Sequence, residues 1–162
     1  IRSLSQADPD NVALRAERAQ LEQATGQTAK ALELLREGLA LYPQDRVLTF
    51  AYVDALLRSG RAREARDALL AYGRNREPGP NYHRLLARSQ ELAGNLLEAH
   101  LAMAEYQYQM GQVQEAVEHL ERARKEACDD FYAASRIDAR LAPLKEELAE
   151  LKAKRRSGRS VR

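Results

Sequence analysis

The chain has 162 residues, 44% apolar and 31% charged, the balance of a soluble globular protein with enough apolar material for a sizeable core. Only 8 Gly and 5 Pro argue against a turn-rich β-sandwich or barrel. No apolar run approaches the roughly 20 residues of a membrane span, and the single cysteine, Cys128, excludes an internal disulfide or a multi-cysteine metal site. The net charge of +2 divides unevenly: six basic residues and no acid lie between Lys152 and Arg162, which leaves about −4 on residues 1–151.

Self-similarity at a fixed spacing organises most of the chain. Gly26, Gly60 and Gly94 stand 34 residues apart, and Gly111 follows after 17, half that period. Five residues beyond each glycine comes alanine: Ala31, Ala65, Ala99 and Ala116. Nine beyond comes a bulky apolar residue (Leu35, Leu69, Met103, Leu120), and seven before comes a small or β-branched one (Ala19, Val53, Ala87, Ala104). Pro9 and Pro43 are also 34 apart, with Pro78 one residue off the next step. Such a pattern suits antiparallel helix pairs. Glycine takes the turn, where a side chain collides or a positive φ is wanted, and alanine lies where the two helices cross most closely.

In chain order, the predicted helices are 11–24, 28–41, 46–58, 61–73, 80–92, 96–109, 112–127 and 130–153. Counting back from Pro9, Ile1 and Leu4 fall on the apolar face of a preceding second helix, so residues 1–7 read as the tail of a truncated repeat. They show no basic start followed by an apolar stretch, and hence no secretory signal. Asp45 is placed to N-cap the third helix, Pro80 to open the fifth, and Asp129 or Asp130 to cap the last. Residues 74–79, "RNREPG", are the best place for an irregular joint. The helix 96–109 must serve both as the second helix after Gly94 and as the first before Gly111, so regular stacking cannot continue and the end of the chain is expected to fold back. Phe131, Ala134, Ile137, Leu141, Leu144, Leu148 and Leu151 form one apolar stripe, read as a helix over 128–153 that caps the array. Pro143 should kink or break it near Ala139, and residues 154–162 read as a basic disordered tail.

The 34-residue helix–turn–helix resembles the tetratricopeptide repeat, on "LEQATGQTAKALELLREGLALYP", "YVDALLRSGRAREARDALLAY", "LARSQELAGNLLEAHLAM" and "AEYQYQMGQVQEAVEHLERA". The resemblance covers about residues 8–127 and implies an all-α helical-hairpin solenoid of about eight helices with an irregular C-terminal part. The sequence departs from the family pattern early in each first helix, where Arg15, Thr49, His83 and His100 replace a large aromatic. A second resemblance, over about 112–150 and carried by "DDFYAASRIDARLAPLKEEL", is to a bacterial periplasmic family: zinc metalloproteases with a C-terminal repeat domain that act in outer-membrane β-barrel assembly. That likeness implies a periplasmic location, zinc in an upstream protease domain, and docking of the assembly machinery or its substrates. The alternative is a free-standing tetratricopeptide adaptor with unrelated protein partners.

No His-Glu-x-x-His motif occurs, and His83, His100 and His119 lie 17 and 19 residues apart, whereas zinc ligands on one helix need three or four. No cofactor is therefore expected in this segment, and the residues argue for binding rather than catalysis. His83 and His100 are expected to be half-buried between helices. The first helices should line a groove. Its facing positions give Phe50, Asp54 and Leu57, then Arg84 and Arg88, then Tyr108, a set suited to an extended peptide with an apolar anchor and a carboxylate. Phe50 and Tyr108 suit the core equally well. The family's carboxylate clamp expects Lys and Asn where Ala16 and Gln20 stand, which disfavours that ligand class. The basic end can attract anionic lipid or nucleic acid without specificity, and no aromatic beyond Tyr132 accompanies it to suit dedicated RNA recognition.

Overall fold

The computed structural model describes residues 9–74 and 76–159. The expected repeat tail at 1–7, together with Asn75 and residues 160–162, lies outside the described residues. These form an all-α structure of eight helices: α1 Pro9–Ala24, α2 Thr28–Leu41, α3 Arg46–Arg58, α4 Ala62–Gly73, α5 Pro80–Leu92, α6 Leu96–Gln109, α7 Val113–Glu126 and α8 Phe131–Arg159. They divide into two compact units between Glu77 and Pro78, inside the joint read from "RNREPG".

The turn glycines work through φ and not through space. At Gly60 φ is +75°, and a Cβ there would meet nothing within 4 Å. The Gly60 N–H donates to the Leu57 carbonyl (3.2 Å) and the Arg61 N–H to the Leu56 carbonyl (2.9 Å), which satisfies the last carbonyls of α3 and reverses the chain. The same pair of bonds recurs at Gly26, Gly94 and Gly111. The second helices begin without a side-chain cap, as does α5 after Gly79, whereas α3 and α8 each have one. Asp45 accepts the Leu48 N–H (2.9 Å) and Asp130 accepts the Ala133 N–H (2.9 Å).

In the first unit α1 packs on both α2 and α3, and α3 pairs with α4. The crossing alanines Ala31 and Ala65 are fully buried, as are Leu35, Leu48, Leu56 and Leu69. Burial of each such leucine contributes about 1.5–3 kcal/mol. Gly38 lies inside α2 because a Cβ there would stand 3.2 Å from Leu48 Cδ1. Between α2 and α3 the chain turns at Gln44, whose φ of +64° is unusual for a side-chain-bearing residue. Arg76 donates to the Gln44 carbonyl (3.3 Å).

The second unit departs from that arrangement at the half-period step. Among its described residues the backbones that approach closely are those of chain neighbours, α5 with α6, α6 with α7 and α7 with α8. Helix α6 is thus shared between two hairpins, as the glycine spacing requires. Helix α8 covers α7 through Ala134, Ile137, Leu141 and Leu144, all buried. Arg124–Asp138 (3.1 Å) and Lys145–Glu121 (2.8 Å) flank that seam, and Arg140 reaches back to Glu105 of α6 (3.2 Å). Exposed pairs of this kind contribute up to about 1 kcal/mol each, so the apolar stripe holds α8.

Three expectations are corrected here. Phe131 is 86% exposed and does not belong to the stripe, which begins at Ala134. Helix α8 is not broken at Pro143 but continues through it. The Ala139 carbonyl that loses its donor lies at an exposed position where water can replace it. Residues 154–159, read as disordered, are helical. Lysine and arginine are good helix formers, and at a helix C-terminus their charge is favourable.

Two of the residues at positive φ, Gly60 and Gln44, yield a sign test by chemical or thermal unfolding. Gly60→Ala should lower stability by about 1 kcal/mol despite the open space around it, and Gln44→Gly should raise it by about 1 kcal/mol. Equal effects of the two changes would refute the backbone account.

Candidate functional site

The residues read from the sequence as a binding groove fall three on each unit. In the first, Leu57 is only 5% exposed and belongs to the core; it sits at the closed end of the α3–α4 hairpin, where its carbonyl takes the Gly60 N–H. Phe50 is half-buried and packs edge-on against Tyr72 (ring centroids 5.5 Å), over which Arg76 stacks (4.7 Å). Asp54 is engaged by Arg58 (2.6 Å). In the second unit Arg84 and Arg88 are exposed on α5, four residues apart, with Arg84 donating to Asn81 Oδ1 (2.9 Å). Tyr108 is half-buried with the Arg140 guanidinium over its ring (4.9 Å), so α8 occupies the face through which a ligand would reach it. Of the six, Arg84 and Arg88 are the exposed ones.

The second unit also holds a cleft that residue spacing did not reveal. Its volume is about 300 Å³, and it lies between α6 and α8 with α5 at one end and Leu120 of α7 behind. Leu86, Leu97 and Leu101 give it half-buried apolar walls, closed by Ile137 at 2% exposure. The rim carries Glu98 and Glu105 from α6, Arg136 and Arg140 from α8, and His83 from α5. Glu105 and Arg140 bind each other through both carboxylate oxygens (3.2 and 3.3 Å). The 35 residues between them are close to one repeat length, so α8 stands where the next first helix would.

Two further histidines meet on α6 and α7, away from the cleft lining. His100 and His119 approach with Nδ1 to Nδ1 at 3.3 Å and ring centroids 5.5 Å apart. A bond at that distance needs one ring to donate and the other to accept, so at least one is neutral. The two positions are nearly equidistant from the turn at Met110–Gly111, which is how an antiparallel hairpin brings residues together; that signal was present in the sequence. Burial lowers the His119 pKa, and the charges of His100 and Arg122 push it the same way against Glu118. Burial also lowers that of His83, which packs edge-on against Tyr82 (5.2 Å), while Glu105 and a bond to the Pro78 backbone oppose the shift.

Among the described residues no three His, Cys, Asp or Glu side chains are grouped to hold a metal ion, and no helix is long and apolar enough to cross a membrane. What the surfaces offer is apolar recesses beside fixed charges. Residues 22–89 match the family model of the tetratricopeptide repeat. This stretch is a tetratricopeptide repeat domain. No curated protein matches the sequence. Tetratricopeptide repeats generally mediate protein–protein interaction and are typically noncatalytic. The match ends at Ser89, before α6, so the cleft's principal walls lie beyond the tetratricopeptide stretch.

Acidification gives a check on the histidine environments. Both shifted groups have native pKa values below the ordinary 6.5, so below that pH the unfolded chain binds protons that the native chain does not. Stability is then retained above about pH 6.5 and lost as pH falls through the depressed native values. The melting temperature should be flat from about pH 8 to 7 and fall between about pH 6.5 and 5. His119→Gln should flatten that fall; an unchanged slope would show that the pair does not contribute.

Proposed function

We propose that the chain is a noncatalytic docking domain of a periplasmic zinc metalloprotease that serves outer-membrane protein assembly and quality control. The docking role is carried by the tetratricopeptide match over residues 22–89. The envelope setting is supported by the likeness of the 112–150 segment to the end of that protease family. In this reading zinc belongs to an upstream protease domain. The partners are components of the β-barrel assembly machinery or its unfolded substrates, and this segment supplies recognition without bond chemistry. Arg84 and Arg88 on α5 offer two exposed guanidinium groups at the spacing of one helical turn, which suits a partner's carboxylates.

The test uses the full-length protein in its own envelope. Arg84→Glu combined with Arg88→Glu should reduce co-purification of barrel-assembly components about tenfold, the scale of a hot-spot charge reversal, with the helical circular-dichroism signal unchanged. Undiminished recovery would reject the α5 surface as the docking face. A full-length gene without a signal peptide and an upstream His-Glu-x-x-His helix would reject the protease setting and favour a free-standing adaptor.

A further inference from the structure

The geometry points to the α6–α8 cleft of the second unit as a docking site for an extended segment of a partner protein, one that inserts a single bulky apolar side chain flanked by a base and an acid. The inference rests on the protein-docking reading and adds the site and the chemistry of its ligand. Three observations carry it.

A volume of about 300 Å³ is at the small end of ligand sites, roughly 300–1,000 Å³. It suits one large side chain better than a cofactor. The walls are the second observation. Leu86, Leu97 and Leu101 are only half-buried and retain apolar surface toward the cleft, while Leu120 and Ile137 behind them are closed at 2% exposure. An inserted apolar group would therefore remove solvent from leucines that the unit itself leaves wet.

The rim charges select the ligand's flanks. Glu105 and Arg140 neutralise each other. Glu98 and Arg136 are both exposed, and among the described residues neither forms a hydrogen bond or an ion pair. One stands on each wall with opposite sign, and they do not close on each other across the mouth. A chain lying in the cleft meets an unmatched carboxylate on the α6 side and an unmatched guanidinium on the α8 side. The complementary segment presents lysine or arginine to Glu98 and aspartate or glutamate to Arg136. The cleft owes its existence to the half-period step: α8 takes the place of the next first helix yet packs on α7 and not along α6.

The experiment is a titration of the ¹⁵N-labelled 162-residue chain with an acetylated, amidated Gly/Ser nonapeptide carrying lysine at its third, phenylalanine at its fifth and aspartate at its seventh position. The expected result is chemical-shift change centred on Leu97, Leu101, Ala133 and Ile137. Replacing the phenylalanine by serine should weaken binding about tenfold or more. A reversed-charge peptide, with lysine and aspartate exchanged, should bind about fivefold more weakly, the scale of two exposed ion pairs. The double variant E98K/R136E alters exposed positions only, and circular dichroism verifies its fold. It should prefer the reversed-charge peptide. Absence of binding, shifts centred elsewhere, or indifference of the double variant to the exchange would overturn the proposal. Shifts at these residues that depend on the concentration of the chain alone would also overturn it, by making a second copy the occupant. Retained recovery of envelope partners by E98K/R136E, alongside failed peptide binding, would reject the cleft and leave the docking reading standing. Loss of partner recovery in the Arg84/Arg88 variant bears on that reading alone.

Discussion

A helix that ends on a residue in the left-handed region has its last carbonyls satisfied by its own backbone and can reverse direction within two residues. In this chain that happens at Gly26, Gly60, Gly94 and Gly111, each at φ between +75° and +84°. The hairpin arrangement depends on these reversals. Once two helices are antiparallel across so short a turn, their crossing lies a set distance from it, and the residue there must be small. Ala31, Ala65 and Ala116 are fully buried at that offset. The glycine, the alanine and the bulky residue beyond are thus one constraint seen at three places.

The same constraint explains the difference between the units. With 34 residues between glycines there is room for two helices, and a first helix packs on the next first helix, as α1 does on α3. With 17 there is room for one, so α6 closes both its hairpins. Both sides of α6 are then committed to chain neighbours, and α8 rests on α7. The gap between α6 and α8 is bridged at its surface by Glu105, Arg140 and Tyr108 and is otherwise open.

What could be read from the sequence was local or periodic. The limits of α2 to α7, the caps at Asp45 and Asp130, Pro80 at the start of α5 and the joint before it each depend on a few consecutive residues. The half-buried histidine pair was legible in principle, because positions equidistant from a turn face each other, whereas metal-ligand spacing within one helix does not bear on residues of two helices. Leu57 was misassigned because a repeat count gives a position's number and not the enclosure at a hairpin's closed end. Phe131 was misassigned because apolar spacing cannot tell a stripe's first buried residue from the exposed one before it. The cleft was illegible for a different reason: its walls come from four helices, and no spacing in the chain encodes where α8 comes to rest.

A repeat protein with an unbroken period is modular, since one period can be duplicated or lost and every remaining helix keeps its kind of neighbour. Helix α6 ends that freedom. Because it belongs to two hairpins at once, any gain or loss of a 34-residue block through Gly94–Gly111 would leave one of its sides without the partner it was built for. Length variation is therefore expected on the N-terminal side of α6. The region from α6 to α8 should be inherited as a single indivisible piece.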